Sequence, residues 1–249
     1  METRPGTDRG AGYDSSTSSP PPEKASVVED FLDVFHSPSS VFARRANSGY
    51  GLQLLIVSVL AAAFAFSQRS VLSQIFDVEF ARGTAKAMAN NPRITQEMIN
   101  QGRPIQEAIA TFAGYIGTPI FIFILAFFVW IVAKLFSAKV TYGQAAMITT
   151  IAWIPRLLGS LITTVQSVLM DTSTVTSMFS LSLSPARFMD PDTTNPKLFG
   201  LMGSLEIFSI WFWILVAIGL SVVAKVPRAR GYAAAVVLFI LGTLPLMFR

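Results

Sequence analysis

The chain has 249 residues, a 52% hydrophobic and only 14% charged composition, and a mean hydropathy of +0.53. An ordinary soluble domain carries about 25% charged residues, so this composition excludes a water-exposed globule, and the absence of cysteine excludes disulfides, thiolate metal sites and thiol catalysis. The net charge of +4 fits membrane topology rather than nucleic-acid binding, and a single histidine, His36, rules out a histidine metal cluster.

Residues 1–26 are rich in Ser, Pro, Gly and Thr and read as a disordered polar tail. Between 27 and 46 two short interfacial helices are expected. Val27, Val28, Phe31, Leu32 and Phe35 fall at helical spacing, with Glu29, Asp30 and Asp33 on the other side. Ser37-Pro38 is a cap followed by a proline suited to a first helical turn. Phe31, Phe35, Pro38 and Phe42 would then anchor the segment in the interface, with Arg44 and Arg45 at headgroup level. His36 lies between the two helices with no partner visible.

Five apolar stretches follow, at about 51–67, 113–133, 144–169, 199–224 and 232–248, each near the 17–25 residues a spanning helix needs. The third is the least apolar and is interrupted by Pro155 and Arg156. The fold class is therefore all-α and polytopic. A loop of about 44 residues without structure would be unusual, so 68–111 is expected to form a helical extramembrane hairpin. Its second arm would start at a Thr95 cap, stop at Gly102, and give way to a new run opened by Pro104. The 170–198 connection reads as mostly irregular, with Phe179, Leu181, Leu183 and Phe188 dipping into the interface. Tight clusters at Arg44–Arg45, Lys134–Lys139 and Lys225–Arg230 put the N-terminus in the cytoplasm and the C-terminus on the opposite side.

Arg156 and Glu206 fall inside expected spans. With Pro155 they form a candidate intramembrane polar site: either a pair lining a path for ions or protons, or a structural pair locking two helices together. Small residues at Ala61/Ala65, Gly114/Gly117 and Gly200/Gly203 favour close helix packing. No phosphate-binding glycine loop, zinc-helix motif or nucleophile elbow occurs, so no catalysis, metal or cofactor is expected.

Three segments carry a family resemblance. They are Phe35-His36-Ser37-Pro38-Ser39-Ser40-Val41-Phe42, then Thr141-Tyr142-Gly143-Gln144-Ala145 leading to Trp153-Ile154-Pro155, and then Leu205–Trp211 followed by Ala217-Ile218-Gly219-Leu220-Ser221. In this order they resemble the bacterial branch of the Yip family, the Ypt/Rab-interacting membrane proteins. The resemblance covers about residues 30–248 and implies five spans, a cytosolic N-terminus and no catalytic residue. Eukaryotic relatives act in vesicle traffic through small GTPases. The short charged tail departs from their long N-terminus, so GTPase binding is not carried over. The expected function is a scaffold or adaptor in the bacterial cytoplasmic membrane, binding lipids or other membrane proteins and no nucleic acid. The alternative is a small transporter or channel using Glu206, Arg156 and the Pro155 bend.

Overall fold

The computed structural model describes residues 26–171 and 174–247, and every regular element among them is helical. The chain starts with α1 (Val27–His36), closed by a capping box in which Ser26 and Glu29 satisfy each other's backbone N–H groups. After Ser37, α2 (Pro38–Arg45) folds back along α1. Next comes α3 (Gly51–Ser67), and a bend of 74° at Gln68 leads into α4 (Arg69–Asn90).

The hairpin expected over 68–111 takes a different form. Thr95 caps as expected, accepting from the Met98 N–H at 3.3 Å. The helix it starts, α5, runs unbroken over Gln96–Leu135, 40 residues through Gly102, Pro104 and Pro119. A single glycine costs a helix only about 1 kcal/mol relative to alanine, too little to end one here. The turn before Pro104 is held from outside, because Arg103 pairs with Asp77 of α4 and lies over the Phe80 ring. At 1.5 Å per residue α5 is about 60 Å long, twice the roughly 30 Å of a hydrocarbon core. Gly114 sits against Ala65, and the Tyr115 ring beside Phe66. The part of α5 before Gly114 therefore extends past the end of α3.

The third apolar stretch holds the centre of the bundle. α6 (Tyr142–Ala152) and α7 (Ile154–Leu169) form one 28-residue unit interrupted only at Trp153. Eight consecutive residues of α6, Ala145 to Ala152, are buried. Its modest hydropathy reflects neighbours of protein rather than lipid. Thr149 and Thr150 are tolerated because each hydroxyl donates back to a carbonyl, of Ala145 and Ala146, at 2.8 Å. Around this unit pack α5, α3, the α1–α2 pair and α9 (Ile207–Val223). α8 (Pro196–Ser204) precedes α9 with a 61° bend at Leu205–Glu206, so the fourth apolar stretch is two helices rather than one. α10 (Arg228–Met247) closes the bundle against α9 and α5. The shared core contains Val34, Phe42, Ile122, Ile148, Phe212 and Leu215.

α5 and the α6–α7 unit are long and apolar enough to cross a membrane, and the bent pairs α3–α4 and α8–α9 bring the number to four. The fifth expected crossing, at α10, lies outside that set. The connection before α8 is largely irregular, with one 3-10 turn at Pro185–Phe188. Phe179 and Leu181 are buried in protein there, Phe179 against Gly203 and Phe199, while Phe188 is exposed. The expected polar tail, residues 1–26, lies outside the described residues except for Ser26.

Candidate functional site

The first candidate region is the α1–α2 pair. Asp30 is fully buried, and three side chains converge on it: Arg44 Nε at 2.8 Å, Arg45 Nε at 2.7 Å and Gln53 Nε2 at 3.0 Å. Arg44 reaches Asp33 as well, at 2.7 Å. The two arginines expected at headgroup level thus turn inward and tie α1, α2 and α3 together. Asp30, expected on the polar outer face, is the centre of the cluster. A carboxylate at this depth is tolerated only because every neighbour donates to it. The hydrogen bond from Arg44 holds the Asp33 carboxyl below the ordinary aspartate range, against desolvation and with help from the charges of Arg44 and His36. His36 has a partner after all, Asp33, with Nε2 at 3.1 Å from the carboxylate.

The expected anchors divide accordingly. Phe42 is fully buried beside Gly219. Phe31 and Phe35 pack on the core, and Phe35 meets Trp211 edge-on at 5.8 Å. Pro38 fills the first position of α2. The outward side chains are Val28 and Leu32, 68% and 64% exposed.

The second region is a cleft of about 380 Å³. Gln68 stands at the α3–α4 bend, Trp153 at the α6–α7 break and Glu206 at the α8–α9 bend, and all three line it. Interrupted backbone at membrane depth is tolerated where it faces protein or a cavity. Side chains at the bends meet the backbone there. Gln68 Nε2 donates to the Phe64 carbonyl at 3.3 Å and across to Thr164 Oγ1 at 2.9 Å. Glu206 is the N-cap of α9, its two carboxylate oxygens accepting from the Phe208 and Ser209 N–H groups at 3.0 and 2.7 Å. Its charge faces the positive end of that helix.

Pro155 is buried at the start of α7. Arg156 stacks on Trp153 and Phe212, its guanidinium carbon 4.6 and 5.6 Å from the ring centroids. Arg156 and Glu206 line the same cleft, yet no ion pair within 4.0 Å joins them. Composition and span arithmetic bring these two residues to one region; the capping role of Glu206 has no signal in the sequence, because N-cap positions favour Ser, Thr, Asp and Asn. The buried Asp30 cluster was missed.

An all-helical bundle with crossing-length apolar helices and an interrupted, largely buried central helix defines an integral membrane protein. The Yip1 domain family profile matches residues 32–248, and the chain belongs to that family. No curated protein matches it, and neither does any solved structure. The three segments that carry the resemblance are joints of the fold: the α1–α2 turn, the capped start and break of the central helix, and the α8–α9 bend with the Trp211 contact.

Proposed function

We propose that this protein is a non-catalytic membrane adaptor that holds other membrane proteins or lipids through two fixed apolar surfaces. The observation that carries this reading is the α1–α2 pair. One side is locked to the bundle by the Asp30 cluster, while Val28 and Leu32 point away from it. Such a surface needs no ordering when a partner or lipid arrives, which removes one entropic cost of binding. The second surface is the stretch of α5 past the end of α3, where Ile105, Ile109 and Phe112 are exposed.

In this reading the chain crosses the bacterial cytoplasmic membrane five times, with α10 as the fifth crossing. The α1–α2 pair lies in the cytoplasmic interface, on the side of Lys134, Lys139, Lys225, Arg228 and Arg230. The test is photo-crosslinking in membranes from a probe placed at Leu32, with a probe at Leu238, buried in the bundle, as control. Discrete adducts to protein or lipid at Leu32 alone support the adaptor. Equal labelling from both positions, or none from Leu32, overturns it.

A further inference from the structure

The cleft holds one positive and one negative side chain that do not touch. Arg156 donates no side-chain hydrogen bond to any described residue; its guanidinium carbon lies 4.6 Å from the Trp153 ring centroid and 5.6 Å from that of Phe212. A cation–π contact satisfies none of the N–H groups, so the guanidinium keeps its donors for an acceptor in the cleft. Glu206 spends one lone pair of each oxygen on the α9 N-terminus, and a carboxylate has about four acceptor sites. Opposite charges left apart inside a low-dielectric bundle attract strongly. Their separation is best satisfied by a molecule that carries both complementary charges.

We propose that the cleft binds a zwitterion with a primary ammonium and a phosphodiester a few atoms apart, the headgroup chemistry of phosphatidylethanolamine. The phosphodiester pairs with the N–H edge of Arg156, and the ammonium donates to Glu206. A simple anion would meet repulsion from Glu206, and a simple cation would meet repulsion from Arg156. A trimethylammonium headgroup has no N–H to give Glu206, and the Trp153 ring that would attract it is already covered by Arg156. Ala61, Phe64, Ala65 and Leu72 form an apolar wall suited to the glycerol and first acyl carbons. The site includes no residue of the α1–α2 pair, so it stands independently of the adaptor reading.

The experiment is native mass spectrometry of the full chain in detergent. It is titrated with short-chain phosphatidylethanolamine, phosphatidylcholine and phosphatidylglycerol, with soluble phosphoethanolamine as competitor. The expected result is at least tenfold tighter binding of the ethanolamine lipid than of the other two. Glu206→Gln, which keeps a capping carbonyl, should erase the preference over phosphatidylglycerol, and Arg156→Gln should erase binding of the ethanolamine lipid. Thr118→Phe fills the cleft from α5 without touching either charge and should weaken that lipid at least tenfold with the circular dichroism unchanged. Displacement by phosphoethanolamine assigns the site to a free zwitterion, and no displacement assigns it to the lipid. Equal binding of all three lipids without competition, or a preference that survives all three substitutions, overturns the proposal.

Discussion

Asp30 and Arg44 lie seven residues before and seven residues after Ser37, and the fold-back of α2 on α1 brings carboxylate and guanidinium to 2.8 Å with the carboxylate fully buried. Removing one partner of a buried pair strands the other, at a cost of about 3–5 kcal/mol. Asp30→Ala should therefore destabilise the protein by that order. Asp30→Asn should cost less, because its carbonyl still accepts from Arg45 or Gln53. Arg44→Ala combined with Asp30→Ala should cost less than the two losses added together. Unfolding titrations in detergent, followed by circular dichroism, read all four variants. Additive losses would show that the cluster is not a coupled unit.

That pairing marks where the sequence was legible. The turn at Ser37-Pro38 was visible, but Ser37 makes no side-chain capping bond to α2, and only Pro38 takes its expected place at the first helical position. The split of the α1 apolar set was not legible: Val27, Val28, Phe31, Leu32 and Phe35 all fall at helical spacing, yet only Phe31 and Phe35 of these pack on the core. In a soluble protein the apolar set would face the core. Here Val28 and Leu32 are exposed and Asp30 is buried, because two arginines and a glutamine from neighbouring helices wait at the acidic face. Apolar runs were legible from composition, though only α5 and the α6–α7 unit reach crossing length as single units, and the first and fourth runs do so only as bent pairs. The helix breaks were less so: Pro155 announced one, whereas the α8–α9 bend rests on Glu206 capping a helix inside an apolar run. Beside the unbroken turn at Gly102 and Pro104 of α5 stands the Arg103–Asp77 pair, a contact across 26 residues that no local pattern encodes.

Acid should loosen the α1–α2 pair through Asp33. Its carboxyl titrates below the ordinary aspartate value because Arg44 donates to it. A depressed carboxyl contributes stability that is fully present above the unfolded-state pKa, about 3.9 for aspartate. That stability is lost as pH falls through the lower folded-state value. Stability measured between pH 6 and pH 3 should therefore fall toward the acid end, and Asp33→Asn should flatten the fall. A variant with the same acid slope as the native chain would place the effect on other carboxylates.

The connections after α5 and α9 share a backbone device. Ser137 and Lys225 adopt left-handed φ values of 58° and 53°, and the following N–H returns to a carbonyl five residues back, Ala138 to Ala133 and Val226 to Ser221. This is the helix stop that glycine usually fills. Non-glycine residues carry a penalty of about 1–2 kcal/mol in that conformation. Ser137→Gly should raise stability by up to about 1 kcal/mol after the entropy gained by the unfolded glycine chain. Ser137→Val should lower it. An unchanged midpoint for both, in thermal unfolding in detergent, would mean that the turn relaxes into another conformation.

Glycines on opposite kinds of surface should respond with opposite signs. A Cβ at Gly231 would strike the Ala217 carbonyl oxygen and the Ser221 hydroxyl, where α10 crosses α9 at backbone contact. Neither atom can retreat, since Ala217 is helix backbone and the Ser221 hydroxyl donates to that same carbonyl at 2.7 Å. Gly231→Ala must push the helices apart, and overpacking of this kind costs about 1–3 kcal/mol. At Gly83, inside α4, an added Cβ meets nothing within 4 Å. Gly83→Ala should then stabilise by about 1 kcal/mol through helix propensity alone. Paired thermal melts in one detergent decide it: loss at 231 with gain at 83 follows from the α9–α10 crossing, and a tolerated alanine at 231 would show that the two helices are free to separate.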